Sequence, residues 1–183
     1  MESLTKFIEK KQGLKVNTEK SKVAKSNQIK YLGFGFYYTK IGIIKIKPHL
    51  KSIQKFKWKL KQLTKRSWNI SLDERIVKLN QGWINYLKKA DMKGNMIRIG
   101  EHLRQRIRCI IWKQWKTCKH RHECLLKLGI SHRDAYVTSN SRRDYYHIAH
   151  TRVLEQAISK EMLNKRGLVN LLDHYLKVHI ITN

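Results

Sequence analysis

Leu79-Asn80-Gln81-Gly82-Trp83-Ile84-Asn85-Tyr86 lies within a segment, Leu72 to Ala90, whose apolar residues recur with the period of a helix. At 100° per residue, Leu72, Ile76, Leu79, Trp83, Tyr86, Leu87 and Ala90 share one face, a wide apolar stripe. Ser71 followed by Glu74 predicts a capping box at its start. Asn80 falls on the apolar side, where an amide without partners costs about 1–3 kcal/mol. Gly82 sits on the flank. In mid-helix it costs about 1 kcal/mol against Ala, which points to another backbone packed close by.

Two further helices are predicted on either side of this one. Pro48 suits the first position of a helix running to about Arg66. Leu50, Ile53, Phe56, Leu60 and Leu63 form its apolar stripe, and Lys51, Lys55 and Lys59 climb the far side at i, i+4 spacing. Trp58 projects among those lysines. An indole there either stacks on a nucleic-acid base, for about 1–3 kcal/mol, or packs against the next helix. After a break at Asp91 to Gly94, a third helix is expected from Asn95 or Met96 to about Lys116. Ile99, Leu103, Ile107, Ile110 and Ile111 make its core face. Arg98, Arg106, Lys113 and Lys116 occupy the other side, with Trp112 near them. Long helices joined by short breaks suit an antiparallel bundle.

Upstream, Leu4 to Lys11 reads as a short helix with Gly13 as its C-cap, followed by a short strand, Leu14 to Asn17. Ile29 to Tyr38 is rich in aromatic and β-branched residues and reads as a strand, with Gly33 and Gly35 on one face. A turn at Thr39 to Gly42 leads to a second strand, Ile43 to Lys47. Downstream, short helices are expected before Gly129, from Ser131 or His132, over Asp144 to Ser159, up to Gly167, and along Leu168, Leu171, Leu172, Tyr175 and Leu176. The expected fold is mainly α: an antiparallel three-helix bundle (48–120) and a small helical C-terminal region (121–183), preceded by a short helix and β-hairpin (1–47).

Charge narrows the function. Lys and Arg number 40 against 13 acidic residues in 183, a net +27. Such a chain repels itself unless it meets a polyanion, and counterion release makes nucleic acid the leading partner. Apolar residues, 41% of the chain, suffice for a core. No apolar run approaches the roughly 20 residues needed to span a bilayer, and Lys6, Glu9, Lys10 and Lys11 interrupt any signal-like run. Three cysteines, an odd number in a helical region, suit a reducing compartment. A cytoplasmic protein, not attached to membranes, is the expectation.

Asn80-x-Gly82-Trp83-x-x-Tyr86 resembles the signature of the group II intron maturase-specific domain, a family found in intron-encoded reverse transcriptases. The segment beginning at Glu9-Lys10-Lys11, with Tyr31-Leu32-Gly33-Phe34, resembles the last helix and strands of the palm of those enzymes. Ser141-Arg142-Arg143-Asp144-Tyr145-Tyr146-His147-Ile148-Ala149 resembles a further family motif, usually Ser-Arg-Lys-Gly-Tyr-Trp-Arg-Ile-Ala. Asp144 for Gly, Tyr146 for Trp and His147 for Arg depart from it. The resemblance covers residues 9–124 and continues more loosely to the end. It implies a palm end, a thumb and the start of domain X, gripping structured intron RNA and an RNA–DNA duplex.

The family's polymerase chemistry needs paired aspartates holding two metal ions about 3.5–4 Å apart. The resemblance places these in a Tyr-Ala-Asp-Asp turn. Here Asp73, Asp91, Asp134, Asp144 and Asp173 are scattered singly, so the expectation is a C-terminal piece of a longer reading frame, not an enzyme by itself. No cofactor is expected; Mg²⁺ would belong to the missing region and to the intron RNA. Cys118-x-His120-x-His122-x-Cys124 offers four zinc-type donors, but alternation at every second residue would need an extended chain, and a basic helix–loop junction is the preferred reading.

Three functions follow. The first is an RNA-binding maturase fragment that assists splicing, with Lys51, Lys55, Trp58, Lys59, Arg98, Arg106, Trp112, Lys113 and Lys116 as contacts. The second is the C-terminal half of a split reverse transcriptase, working with an N-terminal half. The third is a degenerate mobile-element remnant.

Overall fold

Side-chain caps and glycines divide this chain into its elements. In the computed structural model, which describes residues 2–21, 23–67, 70–79 and 90–179, the protein is mainly α-helical with one small antiparallel hairpin. Helix α1 is Glu2–Gln12 and ends before Gly13, at φ 64°. The hairpin follows: β1, Phe34–Tyr38, pairs with β2, Ile44–Pro48, in a register that sets Phe34 opposite Pro48 and Tyr38 opposite Ile44. Then come α2 (Leu50–Leu63), α3 (Leu72–Leu79) and the long α4 (Lys93–Gln114). The remaining helices are α5 (Cys118–Lys127), α6 (His132–Ser139), α7 (Tyr145–Ala149), α8 (Arg152–Ala157), α9 (Lys160–Lys165) and α10 (Leu171–Val178).

Several local expectations need correction. Residues 14–17 form no strand. Strand β1 starts at Phe34, not Ile29, because Tyr31-Leu32-Gly33-Phe34 closes on itself. The Tyr31 amide donates to the Phe34 carbonyl at 3.0 Å, and the Phe34 amide returns a bond at 2.8 Å. Both central residues have positive φ, 45° at Leu32 and 83° at Gly33, the backbone of a tight reversal. Pro48 ends β2 and does not open α2. His49 caps that helix instead, its Nδ1 accepting the Lys51 amide hydrogen at 3.2 Å. Helix α2 stops at Leu63, where the Thr64 hydroxyl donates back to the Leu60 carbonyl at 2.6 Å.

The segment expected as one helix over Asp144 to Ser159 is two. Asp144 caps α7 through the His147 amide, and Thr151 caps α8 through the Leu154 amide. An oxygen-bearing side chain competes with the helical ladder for nearby amides, so it starts a new helix more readily than it continues an old one. Ser131, Ser159 and Asn170 cap α6, α9 and α10 in the same way. Ser71 accepts the Glu74 amide hydrogen at 3.2 Å, as the capping-box spacing predicts.

The core gathers along α4. Met96, Ile99, Leu103, Ile107, Ile110 and Ile111 are buried there, together with Phe56 and Leu60 of α2, Leu72 and Ile76 of α3, and Leu171 and Tyr175 of α10. Buried side chains therefore continue from residue 56 to residue 175, across the expected boundary at 120/121. Two buried arginines tie elements together through carbonyls. Arg75 donates to the Ile70 and Leu63 carbonyls at 3.0 and 3.3 Å and to that of Lys65, which fixes the segment after α2. Arg108 donates to the Ile158 carbonyl at 3.1 Å and pairs with Glu155 at 2.9 Å, joining α4 to α8.

Nothing in α1 is buried, although Leu4 and Phe7 are on it. The hairpin is held to the helices at a few points. The Gly33 carbonyl accepts both the His49 amide and the Ser52 hydroxyl, each at 2.9 Å. The Tyr37 hydroxyl donates to Asp91 at 2.6 Å, and the Asp91 amide donates to the Ile46 carbonyl at 2.8 Å.

Candidate nucleic-acid interface

Helix α2 buries Phe56 and Leu60 and leaves Lys51, Lys55 and Lys59 in solvent. Lys57 and Lys61 are exposed too, which broadens the row. Trp58 is 63% exposed: its ring lies among lysines and is not packed into the neighbouring helix. Leu50, expected in the apolar stripe, is exposed, since the cap at His49 puts it on the first turn, beyond the core. On α4 and just beyond it, Arg98, Lys113 and Lys116 are exposed.

Two of the expected contacts have other work. Trp112 is 1% exposed, so it belongs to the core and not to the basic face. It meets Trp115 edge-on at 5.9 Å between ring centroids, and the Arg121 guanidinium lies 4.6 Å from its own centroid. Its position between buried Ile111 and exposed Lys113 marks the edge of the apolar stripe, and a helical wheel assigns edge positions poorly. Arg106 is half-buried. It donates to the Thr64 hydroxyl and to the Lys61 and Thr64 carbonyls, the latter two at 3.2 Å, and thereby satisfies the C-terminal carbonyls of α2. Burial lowers its pKa from the usual arginine value. It is a brace between two helices.

The scattered aspartates are structural. Asp91 receives Tyr37, Asp134 accepts the hydroxyl hydrogen of the capping Ser131 at 2.8 Å, Asp144 caps α7, Asp173 pairs with Lys160 at 3.1 Å, and Asp73 pairs with Arg166 at 3.2 Å. Cys118, His120, His122 and Cys124 lie on helix α5, where alternate residues point 200° apart. His120 and Cys124, one turn apart, approach to 3.6 Å, while His122 meets His132 edge-on at 4.8 Å. Among the described residues no three His, Cys, Asp or Glu side chains gather as a metal site.

Sequence reasoning missed a second basic region. Two cavities, of about 480 and 740 Å³, both have Tyr145 in their walls. The first lies between the segment after α2, α4 and α7 and is lined by Lys65, Arg66, Lys113 and Tyr146 among others. The second takes Arg121, Tyr136, Arg142 and Arg143. The Arg66 and Arg121 guanidinium carbons lie 5.4 and 5.8 Å from the Tyr145 centroid. The signal for it was the motif Ser141 to Ala149, but its partners Arg66 and Arg121 sit far away in sequence with no periodic mark.

None of the described helices is long and apolar enough to cross a membrane. Asn80, Gly82, Trp83 and Tyr86 lie outside the described residues. No curated protein matches the chain. The sequence profile of one family, described as "Group II intron, maturase-specific domain", matches residues 53–129. That span runs from α2 through α5, includes residues 80–86, and leaves the hairpin and the helices after Gly129 outside it. Residues 53–129 are therefore similar to the group II intron maturase-specific domain.

Proposed function

We propose that the chain binds folded group II intron RNA and assists its splicing, with the RNA supplying the reactive groups. The observation that carries this reading is the coincidence of the maturase-specific match with the exposed lysine row of α2 and the exposed cations of α4. Lys51, Lys55, Lys59, Arg98, Lys113 and Lys116 would contact phosphates, which position an RNA without reading its sequence. Trp58 adds a stacking surface. Folded intron RNA, with its compact shape and unpaired loops, suits such a surface better than plain duplex does. In this reading residues 1–47 are the end of a palm, 48–120 a thumb with the start of domain X, and 121–183 its extension.

The test is binding across a salt series. Each released counterion steepens the fall of affinity with salt, so a structured intron RNA should be lost by orders of magnitude between about 50 and 200 mM salt. An affinity that hardly moves sinks the proposal. A splicing assay with the cognate intron at low Mg²⁺ then measures assistance directly.

A second reading has one observation in its favour. Ile41, Ile43 and Ile44 on the hairpin and Leu4 and Phe7 on α1 are all exposed. An N-terminal reverse transcriptase half would cover such a surface. Primer extension by the mixed halves, absent from either alone, separates this reading from the first.

A further inference from the structure

We propose that the two cavities that share Tyr145 as a lining residue form a site for two unstacked nucleotides of single-stranded RNA, one base in each cavity. The inference rests on the RNA-binding reading and assigns it a second, base-dependent contact. Three observations support it.

Each cavity has one exposed tyrosine ring, that of Tyr146 being met on one side by the His150 ring at 4.2 Å between centroids. Tyr146 is 54% exposed in the first and Tyr136 is 61% exposed in the second. A large exposed phenol ring in a concave, cationic wall is a platform for a base, because every base has a π-face. The volumes, about 480 and 740 Å³, fall in the range of small-molecule sites.

The charged side chains lining the two cavities are mostly cationic, with Asp144 as the one carboxylate among the described residues. Arg66 and Arg121 both lie over Tyr145, and Arg66 is exposed. Lys113 adds to the first cavity and Arg142 to the second. Asp144, the carboxylate among the lining residues, is engaged in capping α7 through the His147 amide at 2.6 Å. A phosphodiester crossing Tyr145 from one cavity to the other would pass both guanidiniums.

The site is braced. Arg106 and Arg75 hold the segment that carries Lys65 and Arg66. Arg121 donates its Nε hydrogen to the Trp115 carbonyl at 2.7 Å, so its plane is fixed over the rings. The Tyr145 carbonyl accepts the Cys109 thiol at 3.4 Å, which anchors α7 on α4. Pre-ordered rings and guanidiniums lose little entropy when a nucleotide arrives.

The experiment uses the full chain with three fluorescent probes: a twelve-residue oligouridine, the same oligomer with two adjacent abasic positions, and an RNA duplex of equal length. The intact oligouridine should bind about tenfold more tightly than the abasic one. Tyr146→Ala and Tyr136→Ala should each weaken the oligouridine by about tenfold, leave the duplex unchanged and leave the salt slope unchanged. Tyr146→Phe and Tyr136→Phe should bind like the parent, and unchanged thermal melts show that each variant is folded. If the alanine variants bind oligouridine like the parent while the duplex and the salt slope persist, the two-nucleotide site is wrong and the RNA-binding reading stands. If the parent binds none of the three probes, the two-nucleotide site is wrong, and the salt series with structured intron RNA decides the RNA-binding reading by itself.

Discussion

Tyr175, in the last described helix, donates its hydroxyl hydrogen to the carbonyl of Ala90 at 2.9 Å, across 85 residues of sequence. The same oxygen accepts the Met92 amide hydrogen at 3.4 Å. The side chain is buried, so this phenol closes α10 onto the entry to α4 and satisfies two backbone groups there. Tyr175→Phe leaves both without a partner and should cost about 1–3 kcal/mol. Urea denaturation monitored by far-UV circular dichroism measures it. A loss near zero would mean that the C-terminal helix contributes only apolar contact.

Trp112 and Trp58 should separate stability from binding. Trp112→Ala opens a cavity in the core and should cost about 3–5 kcal/mol. Trp58→Ala removes an exposed ring and should leave the melting temperature nearly unchanged while weakening RNA binding, by about 1–3 kcal/mol if the ring stacks on a base. A Trp58→Ala variant that binds RNA like the parent would leave the α2 contact purely electrostatic.

How much of this was readable beforehand differs by element. The core face of α4 was legible because Ile99, Leu103, Ile107 and Ile111 repeat at helical spacing on a long helix that one side of the molecule covers. The exposed lysine row of α2 was legible for the same reason. Trp112 was not, since the helix is covered on a wider arc than its aliphatic residues outline: α7, α10 and Arg121 all approach it. The brace made by Arg106 was not legible because periodicity reports which side a residue faces and not whether carbonyls wait there. The Arg66–Tyr145–Arg121 cluster joins three segments through long-range geometry, for which a single sequence has no local sign.

The hairpin should loosen at high pH. The Tyr37 hydroxyl has its pKa raised, first by the hydrogen bond to Asp91, then by desolvation and by the Asp91 charge. A folded pKa above the unfolded value, near 10, gives a contribution that is complete below pH 10 and fades as pH rises through the folded pKa. Amide exchange in β1 and β2 should therefore become less protected there, beyond the intrinsic rise with hydroxide. Tyr37→Phe should show weaker protection at neutral pH and no such step. Identical protection profiles for the two proteins would rule the latch out.

The three cysteines should react in a set order. Cys118 is exposed and Cys124 is half-buried, whereas Cys109 is buried and desolvation pushes its thiol pKa up. The thiolate is the reactive form, so iodoacetamide at neutral pH should modify Cys118 first. Cys109 should react only with unfolding, on the timescale of global opening. Peptide mapping by mass spectrometry reads the order, and early labelling of Cys109 would show that the packing of α7 against α4 opens locally.

Leu32 should be a site of relief. Its φ of 45° is a conformation that costs an L-residue about 1–2 kcal/mol, and its side chain is exposed. Leu32→Gly removes the steric term and adds unfolded-state entropy, so a net gain of up to about 1 kcal/mol is expected in thermal unfolding. A destabilised variant would mean that the leucine side chain has a contact worth more than the strain.

The doubly used carbonyl of Gly33 has a mechanical consequence. It holds the first turn of α2 through His49 and Ser52, and Lys59 lies about 15 Å further along the axis at about 1.5 Å per residue. The reversal thus clamps the near end of α2, while Arg106 clamps the far end through the Lys61 and Thr64 carbonyls. A rod fixed at both ends keeps its exposed lysines at constant spacing, like the teeth of a comb.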